Sequence, residues 1–292
     1  MSTVLPYLLS GISVGGQYAL IAIGYTMVYG ILRLINFAHG DVFMVAGLMG
    51  IYFAATMPLY IALPLVIIMT VVLGFVIERV AYKPLRGASR LAPLISAIGM
   101  STFLQNYVQL AQTSNSVPFP RLIPRRFSFL QDMGNFMAPG DFIMLVTSLL
   151  IMVALALFIR YTKMGKAMRA TAQNRKMAML LGIDADRIIS LTFIIGSALA
   201  ALGGTLIAAR TGQVGFAIGF LAGMKAFTAA VLGGIGSIPG AMLGGLVLGL
   251  AEGFTAGYFS SDYEDVLAFA LLVLILIFRP AGLLGRAAIQ KV

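Results

Sequence analysis

Long stretches without a charged residue are the feature that most limits what this chain can fold into. Charge is absent from Met1 to Leu32, from Val42 to Ile77 and from Leu91 to Pro120, and again over 142–159, 188–209, 226–251 and 266–278. Only 10% of the 292 residues are charged, whereas soluble domains carry about 25%. A membrane-spanning helix needs about 20 apolar residues. The sequence therefore predicts an all-α, polytopic bundle of transmembrane helices.

Breaks inside these runs set the number of helices. Pro58 and Pro64 mark a turn within the second run, and the text GGIGSIPG at Gly233–Gly240 separates two later helices. The predicted spans are 4–32, 36–56, 60–80, 91–112, 141–160, 187–209, 214–233, 238–257 and 263–279. We therefore expect about nine spans in one transmembrane domain over 1–292, or eight or ten if one segment is re-entrant.

The basic residues predict the orientation of these spans. Fifteen of the 20 lie on one side if the N-terminus is outside: Arg33, those of the 79–90 and 160–187 loops, and those of the tail from Arg279. The positive-inside rule makes that side cytoplasmic, with the N-terminus out and the C-terminus in. Orientation and contact with anionic lipid heads explain the net charge of +10, so no nucleic-acid partner is expected.

The rarity of reactive side chains excludes several classes of protein. There are no cysteines and only one histidine, so disulfides, thiolate chemistry and a multi-histidine metal site are not expected. No paired catalytic carboxylates and no nucleophile–base–acid set stand out, so no catalytic residue is assigned. An enzyme is accordingly not predicted.

Small residues recur at intervals of four on the predicted helices. Gly245, Gly249 and Gly253 share one helix face, and this spacing is typical of close backbone packing between membrane helices. A weak internal similarity relates NFAHGD at Asn36–Asp41 to GSIPGA at Gly236–Ala241, because each segment begins a predicted helix after a break that contains Gly. Both helices would run outward, which predicts a parallel duplication.

Lys225 and Glu252 are ionisable residues inside predicted spans. Lys at mid-membrane costs about 2.5–3.5 kcal/mol on insertion scales, so Lys225 should face protein or water. One reading makes it a polar element of a translocation path or gate. The other makes it a structural anchor, paired with Glu252 or with helix-end carbonyl groups.

Asn36, His39 and Asp41 open the second predicted helix. Asn36 is a good N-cap residue, and Asp41 is electrostatically favoured near a helix N-terminus, with Arg33 as a candidate partner. Capping with local pairing is one interpretation of these residues. The other is a cytoplasmic-side gate that recognises passing zwitterions.

The loop over 161–187, YTKMGKAMRATAQNRKMAMLLGIDADR, is the longest on the basic side. It predicts two short helices, with Gly182 as a helix stop after the apolar residues Met177, Met179, Leu180 and Leu181. Such a patch among Lys and Arg suits docking to a soluble partner. A helix lying on the membrane surface is the alternative.

This loop resembles the coupling loop of ATP-binding-cassette importer permeases. The residues that match the pattern are Gly165, Arg169, Ala170, Gln173, Asn174, Ala178 and Gly182. The resemblance implies that they couple the membrane helices to an ATPase. No P-loop text of the G-x-x-x-x-G-K-[ST] type occurs, so ATP would be bound by partner subunits and no cofactor by this chain.

Five further blocks resemble branched-chain amino acid importer permeases of the LivH type. They are YALIAIGYTMVYGI at Tyr18–Ile31, INFAHGD at Ile35–Asp41, LISAIGMSTFLQNYV at Leu94–Val108, GMKAFTAAVLGGIGSIPGAM at Gly223–Met242 and PAGLLGR at Pro280–Arg286. The resemblance implies import of leucine, isoleucine and valine across the bacterial inner membrane. It also implies a second permease subunit of similar fold, identical or not, two ATP-binding-cassette ATPase subunits and a periplasmic binding protein.

Two alternatives to this function remain at the level of sequence. A related importer permease for urea, amides or nucleosides is the nearer one, and a self-sufficient channel or ion-coupled carrier belongs to a different class. The external loop raises a further expectation, because Arg121, Arg125 and Arg126 lie among three prolines. These arginines are candidates for docking the binding protein, or they are solvated surface charges.

Overall fold

The computed structural model describes residues 4–89, 91–111, 115–119 and 139–285. The described chain is helical almost throughout. Its α-helices are α1 (Val4–Leu32), α2 (His39–Thr56), α3 (Leu59–Ile77), α4 (Leu91–Ala111), α5 (Pro139–Tyr161), α6 (Lys163–Gln173), α7 (Arg175–Leu180), α8 (Ala185–Thr211), α9 (Ile218–Gly233), α10 (Ile238–Tyr258) and α11 (Glu264–Phe278). The all-α prediction is confirmed, and each of the nine predicted segments coincides with one long helix.

Short elements connect these helices. A π-helical turn at Glu78–Tyr82 and a 3₁₀ turn at Lys83–Leu85 continue α3, and a second 3₁₀ turn at Ser261–Tyr263 precedes α11. Strands β1 (Val117–Pro118) and β2 (Gln213–Val214) form an antiparallel pair. Six of the described helices are long and apolar enough to cross a membrane, namely α1, α2, α3 with its extension, α5, α8 and α10.

Helix α1 lies at the centre of the bundle, and glycines bring α10 against it. A β-carbon at Gly253 would lie 2.8 Å from the Cα of Gly11, and one at Gly245 would lie 2.6 Å from the Cα of Ala19. No side chain fits at these two positions, so the helix backbones touch directly. The packing role predicted for these glycines is confirmed.

The described helices form two halves with matching helix boundaries. Leu32 and Thr211 end α1 and α8, His39 and Ile218 begin α2 and α9, and Leu59 and Ile238 begin α3 and α10. The sequence interval is identical in all three pairs. It also relates Arg33 (φ 56°) to Gly212 (φ 70°), which both adopt the left-handed conformation after a helix end. The two halves are therefore structural repeats.

The repeats have opposite orientations, because the equivalent helices α2 and α9 run antiparallel. The ring centroids of Phe37 and Phe227 are 6.0 Å apart. Further along α2, a β-carbon at Gly219 would lie 2.7 Å from the Cβ of Met44. The residue numbers in contact thus increase along α2 while they decrease along α9, as in an antiparallel pair. The predicted parallel duplication is wrong, because α2 corresponds to the start of α9 and not to the segment at Gly236.

Candidate functional site

The start of α2 is buried inside the bundle. Asn36 accepts a hydrogen bond from the hydroxyl of Tyr82 at 2.7 Å, and its backbone carbonyl accepts one from the N–H of His39 at 3.0 Å. The N-cap is Ala38, which makes no side-chain cap. The prediction that Asn36 caps the helix is therefore wrong, because its side chain bonds to the turn after α3 instead.

His39 and Asp41 are each almost completely buried. The His39 ring packs edge-on against Tyr25 with 5.0 Å between centroids, in a notch that Gly24 leaves on α1. Asp41 accepts a hydrogen bond from Nε2 of Gln105 at 3.0 Å. The described residues contain no Arg33–Asp41 ion pair. That expected pairing is wrong, because Asp41 points toward α4.

Lys225 and Glu252 form an ion pair across α9 and α10. The ammonium Nζ lies 3.2 Å from Oε1 of Glu252 and 2.7 Å from Oδ1 of Asp265, which is half-exposed at the start of α11. Tyr18 on α1 donates a hydrogen bond to Oε2 of Glu252 at 2.7 Å. Four helices thus meet at one buried charge cluster. Among the described residues, no group of three or more His, Cys, Asp and Glu could hold a metal ion.

A second charge cluster was missed in the sequence. Glu78 is fully buried at the end of α3 and pairs with Arg86, while Ser190 donates to its other oxygen at 3.0 Å. Arg86 also bonds to Asp186 at 2.6 Å, and Arg175 in the 161–187 loop bonds to the same oxygen at 3.0 Å. The available signal was Glu78 itself, an acidic residue at the edge of an apolar run in a chain with few acidic residues.

The seven matched residues of the 161–187 loop mainly shape its backbone. Gly165 packs so tightly on α5 that a β-carbon would overlap the Ile159 backbone. Asn174 caps the start of α7, because its side-chain oxygen accepts a hydrogen bond from the N–H of Met177 at 3.1 Å. It also caps the end of α6, whose last residue is Gln173, because its own N–H donates to the carbonyl of Ala170 at 3.0 Å. Both predicted short helices are present.

Gly182 ends α7 with φ of 82°. Its N–H bonds to the carbonyl of Met179, and the next N–H, from Ile183, bonds to the carbonyl of the buried Ala178, both at 3.0 Å. This pair of bonds is a Schellman motif, which favours glycine at that position. Arg169 donates to the carbonyl of Arg160 at 3.2 Å and so ties α6 to the end of α5, not α6 to α7.

This framework leaves the apolar patch of the loop exposed. Leu180 and Leu181 are 80% and 77% exposed, and Met177 and Met179 are each about half exposed. Exposed apolar side chains on a rigid helix–turn unit are typical of a protein-binding surface. The external arginines Arg121, Arg125 and Arg126 lie outside the described residues.

These features define a multi-pass helical membrane protein with inverted repeats and a protruding helical loop. A solved structure, described as a metal-chelate type ABC transporter in an inward-facing conformation, has a similar fold. It matches with a TM-score of 0.50 and 18% sequence identity, over 94% of this chain and 87% of that chain.

Residues 7–276 match the family described as branched-chain amino acid transport system / permease component, and the chain belongs to that family. It is 51% identical to the high-affinity branched-chain amino acid transport system permease protein BraD of Pseudomonas aeruginosa, over 99% of this chain and 98% of that protein. It is 48% identical to LivH of Escherichia coli K12, the corresponding permease protein there, over 99% and 97%. Membership in this family implies ATPase partners and a second permease subunit in general. The relatives are transport permeases, which are not enzymes.

Proposed function

We propose that this chain is the membrane permease of an ATP-driven importer that moves leucine, isoleucine and valine into the cytoplasm and has no catalytic activity of its own. The similarity to BraD and LivH over nearly the whole length supports this cargo. The observation that carries the mechanism is the exposed patch of Met177, Met179, Leu180 and Leu181 on the framework of Gly165, Ala178 and Gly182. This patch would dock on an ATPase subunit.

The proposed topology has nine crossing elements, with the N-terminus outside and the C-terminus in the cytoplasm. Helices α4, α9 and α11 are added to the six that length and hydropathy select. Helix α4 has 21 residues, or about 30 Å at 1.5 Å per residue. Helix α9 begins inside the bundle, beside buried residues of α2. Its 16 residues are therefore enough to reach the membrane surface. The bias of Lys and Arg supports the orientation.

The proposed assembly contains two permease subunits, two ATPase subunits that bind ATP, and a periplasmic binding protein at the bacterial inner membrane. The binding protein would dock near Arg121, Arg125 and Arg126. Neutralising all three should weaken docking and its dependence on salt, because charged rim contacts act mainly at low ionic strength. Equal docking affinity at low salt would contradict this assignment.

The buried polar residues receive different proposed roles. Lys225 and Glu252 anchor the bundle, because their ion pair joins α9 to α10 and reaches α1 through Tyr18 and α11 through Asp265. Asn36, His39 and Asp41 form the cytoplasmic-side element of the gate. The bond between Tyr82 and Asn36 supports this role, because it links the buried start of α2 to the turn that also carries Glu78.

The function is tested by reconstituting the complete importer in vesicles. Leucine uptake should require ATP and the binding protein. Arg169→Ala should leave membrane insertion intact and reduce uptake and co-purification of the ATPase subunits at least fivefold, because it removes the hydrogen bond that ties α6 to the end of α5. Arg279→Ala is the control, since this exposed residue caps the end of α11 and is not part of the 161–187 loop. Leucine uptake without the ATPase subunits would favour a self-sufficient carrier. Normal uptake and normal co-purification in Arg169→Ala would contradict the proposal that the 161–187 loop docks on the ATPase.

A further inference from the structure

Helix α4 differs from the other peripheral helices in the chemistry of its exposed face. Its buried residues, Pro93, Ala97, Ser101, Leu104 and Val108, form one stripe and pack toward α2. The exposed parts of α3 and α5 are almost entirely apolar, as Val72 and Leu150 illustrate. In α4, by contrast, Thr102 and Asn106 are exposed near the middle of the helix, beside the exposed apolar side chains of Ile98, Phe103 and Tyr107.

This position makes lipid an unfavourable neighbour. The hydroxyl of Thr102 bonds to the carbonyl of Ile98 at 3.0 Å, and Nδ2 of Asn106 bonds to the carbonyl of Thr102 at 2.8 Å. These local bonds use only part of the capacity of an amide, which carries two donor hydrogens and a carbonyl acceptor. Hydrocarbon offers no partner for the remaining groups. The strip that carries Thr102 and Asn106 therefore suits water or protein better than acyl chains.

Gly99 lies on the same face and gives an independent indication. A β-carbon at Gly99 would meet no described atom within 4 Å. Glycine weakens a helix interior relative to alanine, and no contact in the described chain requires it here. Gly99, Thr102 and Asn106 are spaced by three and four residues, so they share one helix face. The missing side chain leaves space beside the two polar groups.

Next to its exposed polar residues, α4 also carries Gln105 and Ser101, which belong to a buried polar network. Gln105 donates to Asp41 on α2 at 3.0 Å, and its Nε2 lies 3.1 Å from the hydroxyl of Ser101. This network fixes the orientation of α4 and connects its polar face with the start of α2. Uncharged amide and hydroxyl groups can hydrogen-bond both ends of a zwitterion without holding it strongly, which conduction through a passage requires.

We propose that Gly99, Thr102 and Asn106 line the aqueous passage that the amino acid follows between this subunit and the second permease subunit. The proposal rests on the proposed function for the identity of the cargo. Thr102 and Asn106 contact the ammonium and carboxylate groups in transit. Gly99 keeps the passage wide enough for a branched side chain.

The absence of native cysteines allows a direct test in the assembled importer. Thr102→Cys and Asn106→Cys are made in complexes whose other subunits carry no accessible cysteine, with Leu150→Cys and Val72→Cys as lipid-facing controls. A charged, membrane-impermeant methanethiosulfonate reagent is applied to vesicles. We expect labelling of positions 102 and 106 to be at least tenfold faster than labelling of both controls. The rate should also change at least threefold between the nucleotide-free and vanadate-trapped complexes.

Labelling at the rate of the controls in both states would overturn the proposal and assign the face to lipid. Protection in both states, with cross-linking of the cysteine to the second subunit by a bifunctional thiol- and amine-reactive reagent, would overturn it in favour of a packed interface. If a cysteine variant fails to assemble, Gly99→Cys reports on the same face, because a side chain there meets no described atom. Labelling needs no knowledge of the cargo, so a failure of leucine uptake in the unmodified complex would reject the proposed function separately.

Discussion

Arg86 and Asp186 are 100 residues apart in sequence and are joined by a hydrogen bond of 2.6 Å between Nη1 and Oδ1. Arg86 also pairs with the fully buried Glu78, and Asp186 accepts a further bond from Arg175. The 161–187 loop is thus connected to the end of α3 by a chain of alternating positive and negative charges. A movement of α7 would reach the membrane helices through this cluster.

Arg86→Met should destabilise the protein, because it leaves the carboxylate of Glu78 buried without its main partner. Breaking a buried ion pair by removing one member typically costs about 3–5 kcal/mol. We expect a loss in the lower part of that range, since Ser190 and Arg79 still approach Glu78. Thermal unfolding of the purified complex measures the effect. Arg187→Met removes a largely exposed pair with Asp184 and should cost at most about 1 kcal/mol.

The double variant Glu78→Gln/Arg86→Met separates a charge effect from a general packing defect. If the unpaired carboxylate is responsible, neutralising it should recover part of the lost stability. No recovery would mean that Arg86 acts through its packed side chain and not through Glu78.

Lys225→Met tests whether the buried ion pair anchors the bundle. The substitution leaves Glu252 buried with only the hydroxyl of Tyr18 as a partner, so the yield of folded complex and its melting temperature should both fall. Lys225→Met/Glu252→Gln should recover part of the loss. Unchanged yield and melting with reduced uptake would contradict the anchor role and place Lys225 on the translocation path.

The positions of the helices could be predicted from the sequence, whereas the packing contacts between them could not. Charge-free runs and Gly–Pro breaks identify the nine long helices, and Gly182 identifies the end of α7. Helix α1, however, is apolar on all sides, so no periodic pattern shows which face meets α10. The roles of Asn36 and Glu78 depend on Tyr82 and Arg86, which approach only after α3 has folded back. The inverted repeat was equally hidden, because its two halves share helix boundaries and few residues beyond the Phe-Ala-x-Gly at Phe37–Gly40 and Phe216–Gly219.

Glycine substitutions in the loop should uncouple the importer without preventing membrane insertion. Gly165→Ala places a β-carbon against the backbone of Ile159, at 2.6 Å from its carbonyl carbon. Gly182→Ala forces a left-handed conformation that costs an L-residue about 1–2 kcal/mol. Both should reduce ATPase co-purification and leucine uptake severalfold. Gly87→Ala is the matched control, because a β-carbon there meets no described atom, and an equal loss in that variant would refute the interpretation.

The crossing of α2 and α9 gives the last prediction, because equivalent helices of the two repeats touch there. A β-carbon at Gly40 would lie 2.8 Å from the Cα of Gly223, and one at Gly219 would lie 2.9 Å from the carbonyl oxygen of Gly40. Gly40→Ala and Gly219→Ala should therefore force the helices apart and cost about 1–3 kcal/mol each, as overpacking of a tight core usually does. Their combined effect should be smaller than additive, since either change alone already separates the helices.

Thermal unfolding of the complex provides the measurement. Gly50→Ala, on the same helix but with its nearest atom at 3.4 Å, should unfold close to the unmodified protein. Equal melting temperatures for Gly40→Ala, Gly219→Ala and Gly50→Ala would show that α2 and α9 are not in contact.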